Sequence, residues 1–301
     1  MYHKSVLLKE SVEGLAIRPT GVYVDATFGG GGHAAAILAE LTTGKLFAFD
    51  QDADALANKP DDPRFTFIHQ NFRYMRNFLR LYNAIPVDGI LADLGVSSYQ
   101  IDEATRGFST RFDGVLDMRM DRRQPLTARE IVNTYPEEKL KHLFRAYGEL
   151  PFAGKLARAI CTGRSEKALE TTAELLDLIR PFAGKGRENK LSAQLFQALR
   201  IEVNHELEVL QEFLIQCIDL LKPGGRLVVI SYHSLEDTLV KHFMRSGNPG
   251  DMVEKDFYGN VMAPLKPVSR KAIVAGEAEK SVNPRARSAR MRIAEKIQQD
   301  E

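Results

Sequence analysis

Apolar and polar positions alternate from Val22 to Thr27, and the run ends at Gly29, Gly30, Gly31 and Gly32. Ala35, Ile37, Leu38 and Leu41 then recur at helical spacing, which predicts strand, glycine turn and helix in succession. A second strand, Leu46 to Phe49, ends at Asp50, and a third, Phe65 to Ile68, leads into Gln70-Asn71-Phe72. A fourth, Val87 to Ala92, ends in Asp93-Leu94-Gly95-Val96-Ser97-Ser98. A helix-like stretch, Leu7 to Leu15, precedes these strands, and an Asp- and Ala-rich helix after Asp50 is broken by Pro60 and Pro63.

Between Ser98 and Arg123 periodicity fades, as in a long loop over a site. Helical patterns then follow one another from Leu126 to about Leu191 with no strand between them, and a longer one, Ser192 to Leu221, returns the chain. Pro223-Gly224-Gly225 breaks that helix ahead of a strand, Arg226 to Ser231, and another helix. A last strand puts Ala289, Met291 and Ile293 on one face, with Arg290 and Arg292 exposed on the other. The pattern predicts an α/β, Rossmann-like sheet in two stretches, 1–124 and 196–301, around an all-helical insertion at 125–195.

The glycines add chemistry, because glycine tolerates positive φ and lets a ligand approach the backbone. An acid about 20 residues beyond such a turn is placed to hold ribose hydroxyls, which makes Asp50 a binding candidate. Gly30-x-Gly32-x-x-Ala35 suits a dinucleotide or S-adenosylmethionine, and an ordinary tight turn would also use these glycines. The missing Gly-Lys-Ser/Thr after the glycines argues against a P-loop. Phe72 is placed either to flank an adenine or to fill the core. Asp93 is placed to accept hydrogen bonds from an amino group or to cap the next helix. His233 lies at a strand end facing the same crevice, and Ser234 with Asp237 fits a helix cap. The 7 histidines and 2 cysteines show no metal-ligand spacing, and His205-Glu206 lacks the second histidine of a zinc helix.

Cys161 and Cys217 lie in helix-like stretches, as buried thiols of a reducing compartment do. With no signal peptide or membrane-length apolar run, a cytoplasmic protein without membrane association is expected. The net charge of +1 hides an asymmetry. Lys139 to Lys190 holds 11 Lys/Arg against 6 Asp/Glu, and Val261 to Lys296 holds 9 against 3. Two such segments point to a polyanionic partner, a nucleic acid. A nicotinamide-dependent oxidoreductase would leave this charge unexplained, and a non-catalytic RNA-binding protein would leave the aligned strand ends unexplained.

Together HKSVLLKE, DATFGGGGH, AFDQD, DLGVSS, RGFS, GVLDMRMD, ALRIEVNHELE, PGGRLVVISYHSLED and NPRARSARMR resemble the bacterial 16S rRNA cytosine-N4 methyltransferases of the RsmH (MraW) type. The resemblance implies an S-adenosylmethionine-dependent methyltransferase with a seven-strand sheet and an inserted helical substrate domain. Its substrate would be a cytidine in the decoding region (the P site) of 16S rRNA in the small ribosomal subunit. The resemblance places cofactor contacts at Gly31, Gly32, His33, Asp50, Phe72, Asp93 and Gln100, of which His33 and Gln100 rest on it alone. Asp93, His233, Ser97 and Ser98 are then the candidates to crowd the reacting amine. Many amine methylases carry Asn/Asp/Ser-Pro-Pro-aromatic after the fourth strand, whereas this chain has Asp93-Leu94-Gly95-Val96, so that motif does not identify the proton acceptor. The sequence leaves open a need for magnesium, naked RNA or assembled subunit as substrate, and the oligomeric state, with a homodimer the assembly considered.

Overall fold

A computed structural model describes residues 5–253, 255–259 and 262–298. His3 and Lys4 of the HKSVLLKE motif lie outside these residues. The chain forms two compact units, residues 1–95 with 207–301, and residues 96–206. Its strands are β1 (Val22–Asp25), β2 (Lys45–Phe49), β3 (Phe65–Ile68), β4 (Val87–Asp93), β5 (Leu221–Ser231), β6 (Leu265–Pro267) and β7 (Arg290–Lys296). Its helices are α1 (Leu8–Leu15), α2 (Gly32–Glu40), α3 (Met75–Leu81), α4 (Ser98–Asp102), α5 (Ala128–Thr134), α6 (Glu137–Ala146), α7 (Ala153–Glu166), α8 (Thr172–Ile179), α9 (Glu188–Asn204), α10 (Glu206–Leu220), α11 (Ser234–Ser246) and α12 (Glu277–Val282).

The first unit is a 7-stranded sheet in the order β3-β2-β1-β4-β5-β7-β6. Strands β1 to β5 pair in parallel, and β7 pairs antiparallel with both β5 and β6. Successive side chains of a strand point to opposite faces, and both faces here are covered. Leu227 and Val229 of β5 pack with Phe213 and Cys217 of α10 and Phe243 of α11, while Val228 and Ile230 join Leu15 of α1 and Ile37 of α2. The sheet is therefore a buried layer between helices, the α/β Rossmann-like class expected.

Several local expectations change. The stretch after Asp50 forms a 3-10 helix, Ala53–Asn58, because Asp52 caps it and Pro60 prevents extension. The long returning helix is two helices, broken where His205 takes φ 50°. β5 begins at Leu221, before the Pro-Gly-Gly turn, which bulges between the Val87–Leu221 and Gly89–Arg226 pairs. Cys217 is buried as expected, but Cys161 is only partly so.

The helical unit has its own core, built on Ile131, Phe144, Leu156, Leu175, Leu195 and Leu199. It starts at Val96 rather than near residue 125, since Leu116 and Met118 are fully buried in that core. Asn204, at the end of α9, accepts the Met120 N–H at 2.7 Å and donates to the Met118 carbonyl at 2.8 Å. The aperiodic stretch is thus tied down by side-chain-to-backbone bonds, which leave no periodic trace in a sequence.

In the tail, Arg290 is exposed as expected, but Arg292 is not free. Its guanidinium donates Nε–H and Nη2–H to the two Asp237 oxygens at 2.6 and 3.0 Å. Both side chains are nearly buried, at 13% and 11% exposure. Removing one partner of such a pair strands the other's charge. Arg292→Met should cost about 3 kcal/mol in denaturant unfolding, the low end of the usual range because Arg290 stays 3.7 Å from Asp237. A cost below about 1 kcal/mol, the level of a surface pair, would show the pair to be solvated.

Candidate active site

Strand addition changes direction between β1 and β4, and a crevice opens outside the carboxyl ends of the strands at such a switch. The strands β1, β2 and β4 bring Asp25, Asp50 and Asp93 to that edge. Between β1 and α2 the glycine turn crosses it, with Gly29 at φ 50° and Gly31, the residue before α2, at φ 77°. A Cβ at Gly30 would meet nothing within 4 Å, so the backbone there is open to a ligand. A Cβ at Gly32 would instead strike Ser5 Oγ, so this glycine serves the close passage of the N-terminal segment.

Asp50 fixes the turn. Its Oδ2 accepts from the Gly29 N–H at 2.7 Å and its Oδ1 from the Asp52 N–H at 2.8 Å. Each oxygen keeps a lone pair for another donor. Burial pushes its pKa up to about 6 against these two bonds.

Asp25 is 1% exposed, and its Oδ1 accepts from the Thr27 N–H at 3.1 Å. Its Oδ2 is buried with no hydrogen-bond partner among the described residues. Burial raises its pKa to about 6, with His33 opposing and Asp93 and Asp50 adding to the rise. A buried acceptor left bare is costly unless a ligand supplies the donor.

Asp93 is the most strongly shifted of the three. Its N–H donates to Thr27 Oγ1 at 2.7 Å, and its Oδ1 accepts from the Tyr232 hydroxyl at 2.7 Å. Burial carries its pKa to about 7, with the Tyr232 bond opposing, Glu236 adding and Arg285 opposing. Burial raises the Tyr232 pKa, so the hydroxyl stays a donor. Asp93 caps no helix, because Ser97 occupies the cap of α4.

His33 is buried, with Nε2 3.1 Å from the Val6 carbonyl and Nδ1 3.8 Å from Asp93 Oδ2. A carbonyl only accepts, so Nε2 carries a proton, and burial lowers the ring's pKa against the opposing pull of Asp25. Phe72 is half-buried, meeting Phe213 edge-on at 5.1 Å between ring centres. The core therefore holds one side of this ring and leaves part of it exposed.

His233, not Ser234, is the N-cap of α11, accepting the Glu236 N–H on Nδ1 at 3.4 Å. A ring nitrogen reaches that N–H while Ser234 is already inside the first turn. His233 Nε2 lies 3.1 Å from Glu236 Oε1, so Glu236 faces both ring nitrogens. Ser97, Ser98 and Gln100 belong to the helical unit. Ser97 Oγ accepts the Gln100 N–H at 3.2 Å, and Gln100 Oε1 accepts the Ser97 N–H at 3.0 Å, a capping box that occupies both.

Periodicity did not single out Asp25, Thr27, Tyr232 or Arg285. Asp25 carried a usable signal, an acid at the last strand position before a glycine turn. Tyr232 is adjacent to His233 in sequence. Arg285 bears on the site only through chain return.

The three carboxylates favour a cation and disfavour a pyrophosphate. Holding their protons stabilises the folded chain fully below the ordinary carboxylate range, and that stabilisation is lost as pH rises through about 6 to 7. The melting temperature should therefore fall between pH 5 and 7.5 (roughly the window those shifts define), and substituting Asp93→Asn should flatten the fall.

A model of the MraW methylase family matches residues 1–297. Ribosomal RNA small subunit methyltransferase H of Christiangramia forsetii is 56% identical over 297 residues, covering 98% of each chain. The protein of that name from Phocaeicola vulgatus is also 56% identical, with 98% of each covered. A crystal structure of an rRNA methylase from Streptococcus thermophilus is 12% identical, covers 99% of this chain and 100% of that one, and superposes with a TM-score of 0.45, too distant to bear on function. Matched along almost its whole length, the chain belongs to the MraW methylase family.

Proposed function

We propose that this methylase uses S-adenosylmethionine to methylate N4 of a cytidine in the decoding region of 16S rRNA, acting on the small ribosomal subunit in the cytoplasm. The observation that carries the cofactor is the bare, buried Asp25 Oδ2 beside two further carboxylates, a setting for a cationic ligand. S-adenosylmethionine brings an ammonium group and an electrophilic methyl on a sulfonium. Asp25 and Asp93 would face the cationic end, Asp50 the ribose hydroxyls, Phe72 the adenine, and the Gly30 backbone leaves room for close approach.

Cytosine N4 is a weak nucleophile because its lone pair is delocalised into the ring. Orientation therefore supplies much of the acceleration, roughly 7–11 kcal/mol in favourable cases. Tyr232 holds Asp93 Oδ1, which leaves Oδ2 to accept an N4–H as positive charge develops on nitrogen. No strong base is needed, since the methylated amine is acidic until it loses that proton. The base must be unstacked to reach such a crevice. Exposed Arg270, Lys271, Arg287 and Arg290 in the tail, with Lys155, Lys185 and Lys190 in the helical unit, supply phosphate contacts. RNA affinity should then fall with salt, with a log–log slope of about −0.7 per phosphate neutralised. A flat dependence measured by filter binding would remove these residues from the interface.

Binding a cation beside the carboxylates lowers their pKa values, so cofactor binding at pH 6.5 should release up to about one proton. Titration calorimetry in two buffers of different ionisation enthalpy reads this directly, and buffer-independent heat would count against the assignment. The reaction itself is tested with small subunits from cells lacking this gene, incubated with methyl-labelled S-adenosylmethionine and digested to nucleosides. Label in N4-methylcytidine supports the proposal. Label in another nucleoside, or none despite cofactor binding, overturns the substrate.

A further inference from the structure

At the amino ends of β1, β4 and β5, opposite the carboxylate edge, lies a cavity of about 260 Å³. Among the residues lining it are Arg18, Asp88, Lys222, Gly225, Arg226 and Glu295. A Cβ at Gly225 would come within 2.9 Å of the Lys222 carbonyl oxygen and 3.0 Å of the Asp88 carbonyl oxygen, so only glycine closes this wall against β4.

The acids of the cavity are already engaged. Asp88 Oδ2 accepts from the Val22 N–H at 2.8 Å and from Lys222 Nζ at 2.7 Å, its Oδ1 lies 3.9 Å from Arg18, and Glu295 Oε2 pairs with Arg226 at 2.6 Å. The donors are not exhausted. Arg226 Nε is buried without a hydrogen-bond partner among the described residues, and Arg18 reaches no closer to Asp88 than 3.9 Å with 68% of its side chain exposed. An ammonium and two guanidinium groups offer more N–H donors than two carboxylates can accept, and three positive charges face two negative ones.

We propose that this cavity is an anion site for a phosphate group. Guanidinium groups match phosphate oxygens in geometry and charge, and a lysine adds a point charge. The volume lies below the range of pockets that enclose drug-sized ligands, about 300–1,000 Å³, so the site takes the phosphate and little beyond it. The same chemistry is offered by free phosphate and by a backbone phosphodiester of RNA.

Thermal unfolding of the full chain with potassium phosphate replacing chloride at constant ionic strength tests the site. The wild-type protein should show a saturable rise of roughly 2–4 °C. Arg18→Gln and Arg226→Gln should lose it while keeping their melting shift with S-adenosylmethionine, which certifies the fold. Arg18 is exposed, so Arg18→Gln alone suffices if Arg226→Gln is unstable. No saturable rise in the wild type, or an undiminished rise in Arg18→Gln, overturns the proposal. RNA binding then identifies the source. A several-fold loss of affinity in Arg18→Gln, with free phosphate competing, assigns the site to the RNA backbone. Unchanged RNA affinity alongside a lost phosphate shift assigns it to the free anion. Neither arm depends on methyl transfer, so failure here leaves the reaction untouched.

Discussion

Replacing Asp93 by Asn should lower the single-turnover methylation rate at saturating S-adenosylmethionine by roughly 10²–10³-fold, the usual loss when an aligned electrostatic partner is removed. The substitution keeps the shape and leaves an oxygen for the Tyr232 hydroxyl, now held at 2.7 Å. It places an amide N–H₂ where the proposal needs an acceptor, so donor meets donor at N4. It also removes the negative charge that offsets the developing positive one. Asp93 holds its proton up to about pH 7 in the ligand-free chain, and the cofactor's positive charge shifts that pKa down. The wild-type rate should therefore fall on the acid side of a pKa below about 7, and the Asn variant should lack that limb. Tyr232→Phe removes the bond that lowers the Asp93 pKa, so its limb should move to higher pH with a smaller loss of rate. Near-normal turnover in Asp93→Asn would shift the acceptor role elsewhere.

Asp50→Ala should act on affinity instead. A hydrogen bond to a charged group contributes about 1.5–3 kcal/mol, so losing two ribose hydroxyl contacts should weaken S-adenosylmethionine binding by at least 10²-fold (about 2.7 kcal/mol). Folding of the ligand-free chain should change far less. The Gly29 and Asp52 N–H groups lose their acceptor, but a carboxyl whose burial holds it at a pKa of about 6 is removed as well. Calorimetry for the cofactor and thermal unfolding without it separate the two effects. Unaltered affinity would place the ribose away from β2.

The carboxyl ends of β1, β2 and β4 were legible because each couples an apolar run to glycine or acid, a signal carried within a few residues. The same alternation misrepresented β1. Tyr23 and Asp25 read as a polar face, yet both are 1% exposed, because helices cover each side of the sheet. Partners distant in sequence were not legible at all. Arg292 looks like a free cation until Asp237, on α11, is brought to it by the pairing of β5 with β7. His205 ends α9 in a left-handed conformation that glycine or asparagine normally marks, so the break carried no residue signal. The resemblance contributed what spacing could not, the identity of the methyl donor, and the proposed cytidine rests on it.

The bond between Lys222 and Asp88 joins residues 134 positions apart, because the helical unit is spliced between β4 and β5. On a ribosome adding about 5–20 residues per second, β4 waits roughly 7–27 s for its neighbour. Throughout that wait its edge is an unpaired template for other strands. The inserted helices have a continuous chain and a core of their own, so they fold in the interval. Synthesis therefore finishes the accessory unit before the sheet that carries the carboxylates, and the methylase becomes competent only as the last strands emerge.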